Sequence, residues 1–140
     1  MPTPKKSATP DPLTPIFDSL EKLFRRYSPP LKITQGKIRA KRDLHLTVPT
    51  PVVVPGAYAN KPVAIDMASL ILQKGYVGFY FMPIYIQPTL KRKLSPALIA
   101  LLKGKTCFNI KKLDPALLPA IESALNEGLT CFQSRNWLPT

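Results

Sequence analysis

His45 is the only histidine in the chain, and Asp43 precedes it by two residues. Residues two apart on a strand project from the same face, so this spacing sets a carboxylate beside an imidazole. Such a pair could act as a general base or orient one. No serine or cysteine neighbours it in sequence, so a hydrolytic triad has no support at this level. The expectation for His45 is a solvent-facing side chain on a half-buried strand. Cys107 lies close to Lys105. A neighbouring ammonium can lower a thiol pKa and make it reactive. A cysteine on a strand more often packs as a small buried hydrophobe, and that is the expectation here.

The run Lys103-Gly104-Lys105-Thr106 shares its last residues with phosphate-binding loops. Its first glycine is missing, and it runs from helix into strand, so no helix N-terminus would point at a phosphate. Nucleotide hydrolysis is set aside. Metal binding fares no better. Cys107 and Cys131 with one histidine cannot assemble the four N/S ligands of a structural zinc site. The acids Asp11, Asp18, Glu21, Asp43, Asp66, Asp114, Glu122 and Glu127 are scattered, whereas hard cations need clustered oxygen ligands. No metal or cofactor is expected.

The aromatic residues carry a stronger signal. Tyr76, Gly78, Tyr80 and Met82 alternate onto one face of a strand, with Val77, Phe79 and Phe81 on the other. The missing side chain at Gly78 would open a groove between two rings. If helices cover the Val77 face, the Tyr80 face needs another cover: the proline-rich loop 49–62, a second copy of the chain, another protein or a small ligand. With Tyr85 and Lys105 added, the candidate ligand site is Tyr76, Gly78, Tyr80, Tyr85 and Lys105.

The chain carries 20 basic and 8 acidic residues, a net charge of +12. So basic a surface attracts polyanions. Lys22, Arg25, Arg26, Lys32, Lys37, Arg39, Lys41 and Arg42 fall within 21 positions, and Lys91, Arg92 and Lys93 form a second cluster. An alternative nucleic-acid surface therefore comprises Lys22, Arg25, Arg26, Lys37, Arg39, Lys41 and Arg42. Only Tyr27 stands among them for base stacking, so contact would be with phosphates and non-specific.

These residues need elements to position them. A chain of 140 residues with 45% hydrophobic residues can bury one core. The 17 prolines must then sit mostly at element boundaries. Residues 1–10 lack periodicity and read as a disordered tail, leaving one domain over 11–138. Ile16, Leu20, Leu23, Phe24 and Tyr27 form a helical stripe, started at Thr14-Pro15 or at Asp11-Pro12 and stopped by Ser28-Pro29-Pro30. Residues 44–48 alternate as a strand, and Val52-Val53-Val54 between prolines belongs at an edge. Residues 63–72 and 76–86 form a central hairpin turned at Gly75. Ser95-Pro96 opens a short helix that Gly104 closes, and 106–111 is a strand. Asp114-Pro115 starts a last helix with stripe Leu118, Ile121, Leu125, Leu129 and Phe132, although Pro119 demands an irregular first turn or a later start. The expected fold is α+β: an antiparallel sheet of about five strands, with two to three helices mainly on one face. The N-terminus lacks the apolar stretch of a signal peptide, and the longest uncharged apolar run, 76–86, is half a membrane helix. A soluble cytoplasmic protein without membrane contact is expected.

Two segments carry a family likeness. The run Gly75-Tyr76-Val77-Gly78-Phe79-Tyr80-Phe81-Met82-Pro83-Ile84-Tyr85 is similar to the central strand of YdhG-like domains, a family of unknown function. Leu94-Ser95-Pro96-Ala97-Leu98 with Gly104-Lys105-Thr106-Cys107-Phe108-Asn109-Ile110 resembles that family's helix, glycine and strand. The resemblance spans residues 13–135 and implies the same α+β fold, with no agreed catalytic residues. Frataxin-like iron delivery, attributed to some members, is a lesser alternative that the scattered acids disfavour. The leading expectation is a non-enzymatic ligand-binding or accessory domain using the aromatic sheet face.

Overall fold

The computed structural model describes residues 12–36 and 42–139. Residues 1–10, read as a tail, lie outside them, as do Lys37, Arg39 and Lys41. Helix α1 (Leu13–Arg25) starts on Pro12, the earlier of the two expected starts. Its stripe of Ile16, Leu20, Leu23 and Phe24 is buried, together with Phe17 and with Tyr27 just beyond the last turn. Strands β1 (Lys32–Thr34) and β2 (Asp43–Thr47) follow. Then β3 (Val52–Val53) and β4 (Pro62–Val63) pair with each other as a small separate sheet. The central hairpin is β5 (Asp66–Gln73) and β6 (Tyr76–Phe81), turned through Gly75 at φ +92°. Only glycine adopts such a backbone freely.

Beyond Phe81 the chain departs from the expected long strand. Pro83 opens a short helix, α2 (Pro83–Ile86), because its fixed φ suits the first helical position. A 3₁₀ turn spans Pro88–Lys93. Helix α3 (Pro96–Ile99) is capped by Ser95, whose Oγ accepts from Ala97 N–H at 3.2 Å, as the cap-plus-proline pattern predicts. Gly104 does not close that helix. At φ +84° it lies in the turn between β7 (Leu102–Lys103) and β8 (Cys107–Ile110). Helix α4 (Leu117–Ser134) starts later than Asp114, so Pro119 falls in its first turn, where the lost N–H has no helical partner anyway. Ile121, Leu125 and Phe132 are buried as expected, while Leu118 and Leu129 are only half-buried flanks.

The main sheet has six antiparallel strands in the order β1-β2-β5-β6-β8-β7. Strands β1 and β7 escaped the sequence reading because two or three residues show no period. One face bears Leu44, Leu46, Leu70, Leu72, Val77, Phe79, Phe81, Phe108 and Ile110, all buried. Phe79 centres this face, with Phe24, Phe81 and Phe108 ring centroids 5.4–6.0 Å away. Each such ring contributes about 1.5–3 kcal/mol by burial. Helix α1 lies over it through Phe24, and α4 through Gly128, where an added Cβ would meet Phe81 at 2.9 Å. Both long helices therefore share one sheet face, as expected. No helix among the described residues is long and apolar enough to cross a membrane.

Candidate functional site

Among the described residues the opposite face carries no long helix, and the strand registers compose it. Thr34, His45, Ser69, Tyr80, Cys107 and Lys103 are successive cross-strand partners, one from each of the six strands. A second row runs Asp43, Ile71, Gly78 and Asn109. The helix-free face is thus polar along a line that crosses the whole sheet.

Asp43 and His45 do pair, but His45 does not face solvent: it is only 3% exposed, and all five residues of β2 are buried. Its Nε2 lies 2.7 Å from Asp43 Oδ2 and its Nδ1 2.7 Å from Ser69 Oγ. Asp66 Oδ2 stands 3.4 Å from the same Nδ1. The network continues outward. Gly36 N–H donates to Asp43 Oδ1 at 2.8 Å, Thr47 Oγ1 donates to Asp66 Oδ1 at 2.7 Å, and Thr34 Oγ1 lies 3.0 Å from Thr47 Oγ1. Buried polar groups are stable only when partnered in this way, since an unpaired one costs several kcal/mol.

Ser69 was missed from sequence, although a signal existed. Ser69 and Asp66 are the only polar residues in the apolar run 63–72, and cross-strand pairing sets Ser69 against His45. Asp43, His45 and Ser69 have the composition of an orienter, base and nucleophile. Ser69, however, sits in a strand paired on both sides, where backbone N–H groups are occupied by the ladder and not aimed at a developing oxyanion. The arrangement suits hydrogen bonding better than acyl transfer.

Above this network is a depression of about 240 Å³ whose walls include His45, Asp66, Ser69, Tyr80, Met82 and Thr106. The groove expected at Gly78 is not open. Tyr80's own ring lies over that glycine, close enough that an added Cβ would meet its Cε1 at 2.8 Å. Gly78 is a seat for Tyr80, and the recess lies beyond the ring. Burial raises the Tyr80 phenol above its ordinary pKa, and a hydrogen bond with Cys107 adds to the rise. Cys107 is half-buried on the same face, its Sγ 3.3 Å from Asn109 Oδ1. Burial raises its thiol pKa, against the activation considered from Lys105. The Lys105 ammonium lies elsewhere, 6.0 Å from the Tyr85 ring centroid.

The expected ligand site therefore divides. Tyr76, Gly78 and Tyr80 share the helix-free face, whereas Tyr85 belongs to α2, is 48% exposed, and joins Lys105 in a shallow depression with Ile84, Pro88 and Lys91. None of the loop 49–62 lines the recess beside Tyr80; Val52 and Val54 are buried in the core, and Pro49 and Thr50 border a hollow shared with 136–139. The basic cluster divides too. Arg25 pairs with Glu21 at 2.7 Å, Arg26 with Glu122 at 3.2 Å, and Arg42 with both Asp18 and Glu21 at 2.8 and 2.7 Å. Lys22 is exposed. Among the described residues no group of three or more histidine, cysteine or acidic side chains is set to hold a metal ion.

Comparison with known proteins returns no match, whether to a family model, to a curated protein or to a solved structure.

Proposed function

We propose that this protein is a non-enzymatic small-ligand-binding domain whose site is the recess on the helix-free sheet face. One observation carries the reading: buried hydrogen-bonding groups, His45 and Ser69, form a recess wall together with the half-buried Tyr80 and Met82. Small-molecule sites combine an apolar wall with a few convergent polar groups in this manner. The ligand class is a small molecule with hydrogen-bonding groups at one end and an apolar or aromatic body to lie against Tyr80. We also propose membership of the YdhG-like family, on the motifs at 75–85 and 104–110.

Methyl NMR of the methionine-labelled protein tests the site. Met82 borders the recess and Met67 is buried in the core, so the second methyl is an internal control. A fragment set of hydroxylated and amide-bearing aromatics should include compounds that shift the Met82 methyl saturably and leave Met67 unmoved. Ser69→Val should abolish the shift, and Gly78→Ala should weaken it by lifting the Tyr80 ring. If no fragment moves Met82, or if its shifts survive both substitutions, the proposal fails.

A further inference from the structure

A second cavity, of about 390 Å³, opens where α3, the β7–β8 edge and the start of α4 meet. Its floor is apolar: Ala97 of α3 and Ala100 just past its end leave space that larger side chains would fill, and Leu101 and Leu117 line what remains. Its rim is cationic. Lys103, Lys111 and Lys112 all border it, against one acid, Asp114. Among the described residues none of these three lysines enters an ion pair, whereas Arg25, Arg26, Arg42 and Lys93 all do. The local excess of positive charge is thus left uncompensated around an apolar hollow.

Those two features select one ligand chemistry. A concentrated positive field favours an anionic head group. Apolar walls in a cavity of this size favour a compact hydrocarbon or aromatic body. Among the described residues no aromatic side chain borders the cavity, so base stacking has no platform there. We propose that this cavity binds a small amphipathic anion, its carboxylate or phosphate held by Lys103, Lys111 and Lys112 and its apolar body seated on Ala97, Ala100, Leu101 and Leu117. The site is separate from the recess beside Tyr80 and does not depend on it.

Fluorescence titration of the full chain with 8-anilinonaphthalene-1-sulfonate tests this directly, with decanoate, decanol and inorganic phosphate as competitors. Saturable binding is expected, displaced by decanoate and not by decanol or phosphate at equal concentration. Ala100→Phe should fill the hollow and weaken the probe by at least about tenfold, the scale of one or two displaced methylenes. Ala100 is exposed, so that variant keeps the fold, which circular dichroism verifies. Lys111→Gln and Lys112→Gln should each weaken binding by up to about fivefold, the upper range for an exposed ion pair. Lys91→Gln, at the Tyr85 depression, should change nothing. Equal displacement by decanol, or affinity unaltered in both Ala100→Phe and the Lys111/Lys112 double variant, would overturn the proposal.

Discussion

Replacing His45 with leucine removes one partner of a buried ion-pair geometry and leaves the other in place. Asp43 and His45 side chains are each 4% exposed and 2.7 Å apart. Without the imidazole, Asp43 keeps the Gly36 N–H on Oδ1 but loses the His45 contact on Oδ2. Breaking a buried pair on one side costs about 3–5 kcal/mol. Retention of the Gly36 contact argues for the lower end, about 3 kcal/mol. With an unfolding slope of about 2 kcal/mol per molar urea, the midpoint should fall by about 1.5 M. Asp43→Leu should cost about 2 kcal/mol, since the imidazole keeps its contact with Ser69 Oγ. The double variant is the discriminating case. Exchanging both groups for apolar ones removes the cost of leaving either buried polar group one contact short, so the double variant should be less destabilised than the sum by at least about 2 kcal/mol. Urea titrations followed by fluorescence of Trp137, the only tryptophan and buried against Phe132, measure all four proteins. Additivity within about 0.5 kcal/mol would show that the two side chains do not act as a unit, and the reasoning about the polar row would fall with it.

Two further expectations concern the opposite face and the thiol. Gly128→Ala would bring a Cβ to 2.9 Å from Phe81 Cε1 and 3.0 Å from Pro83 Cγ. The helix-propensity gain of about 1 kcal/mol offsets only part of an overpacking cost of about 1–3, so a net loss of about 1 kcal/mol should appear in thermal unfolding, and a stabilised variant would refute the close α4 packing. For Cys107, burial makes the folded chain hold the thiol proton more tightly than the unfolded chain. The unfolded state therefore deprotonates first, and stability declines as pH rises past the ordinary thiol value of about 8.5. The urea midpoint of the wild type should drop between pH 8 and 10 by more than that of Cys107→Ala; parallel curves would show that the thiol is not buried in the folded state.

Local patterns in the chain were enough for the periodic elements. The stripe of α1, the Gly75 hairpin, the Ser95 cap and the apolar face centred on Phe79 each follow from spacings of two, three or four residues, because helix and strand geometry act over that range. The same patterns paired Asp43 with His45. They could not say that the pair is buried, since an alternating strand has the same sequence whether its polar face meets water or a neighbouring strand's hydroxyls. Only cross-strand register brings Ser69 and Asp66, more than twenty residues on, to His45, and register is a property of the assembled sheet. Side-chain direction was equally out of reach. Gly78 suggested an open groove, but whether a ring folds back over a glycine depends on what else competes for the space. Pro83 ends the strand and opens α2, so Tyr85 sits on a helix and borders a different depression from Tyr80. The aromatic and charged residues were legible one by one, and their grouping into a polar row, a tyrosine-lined recess and a lysine-rimmed cavity was decided by tertiary structure, because contacts between distant strands and helices set it.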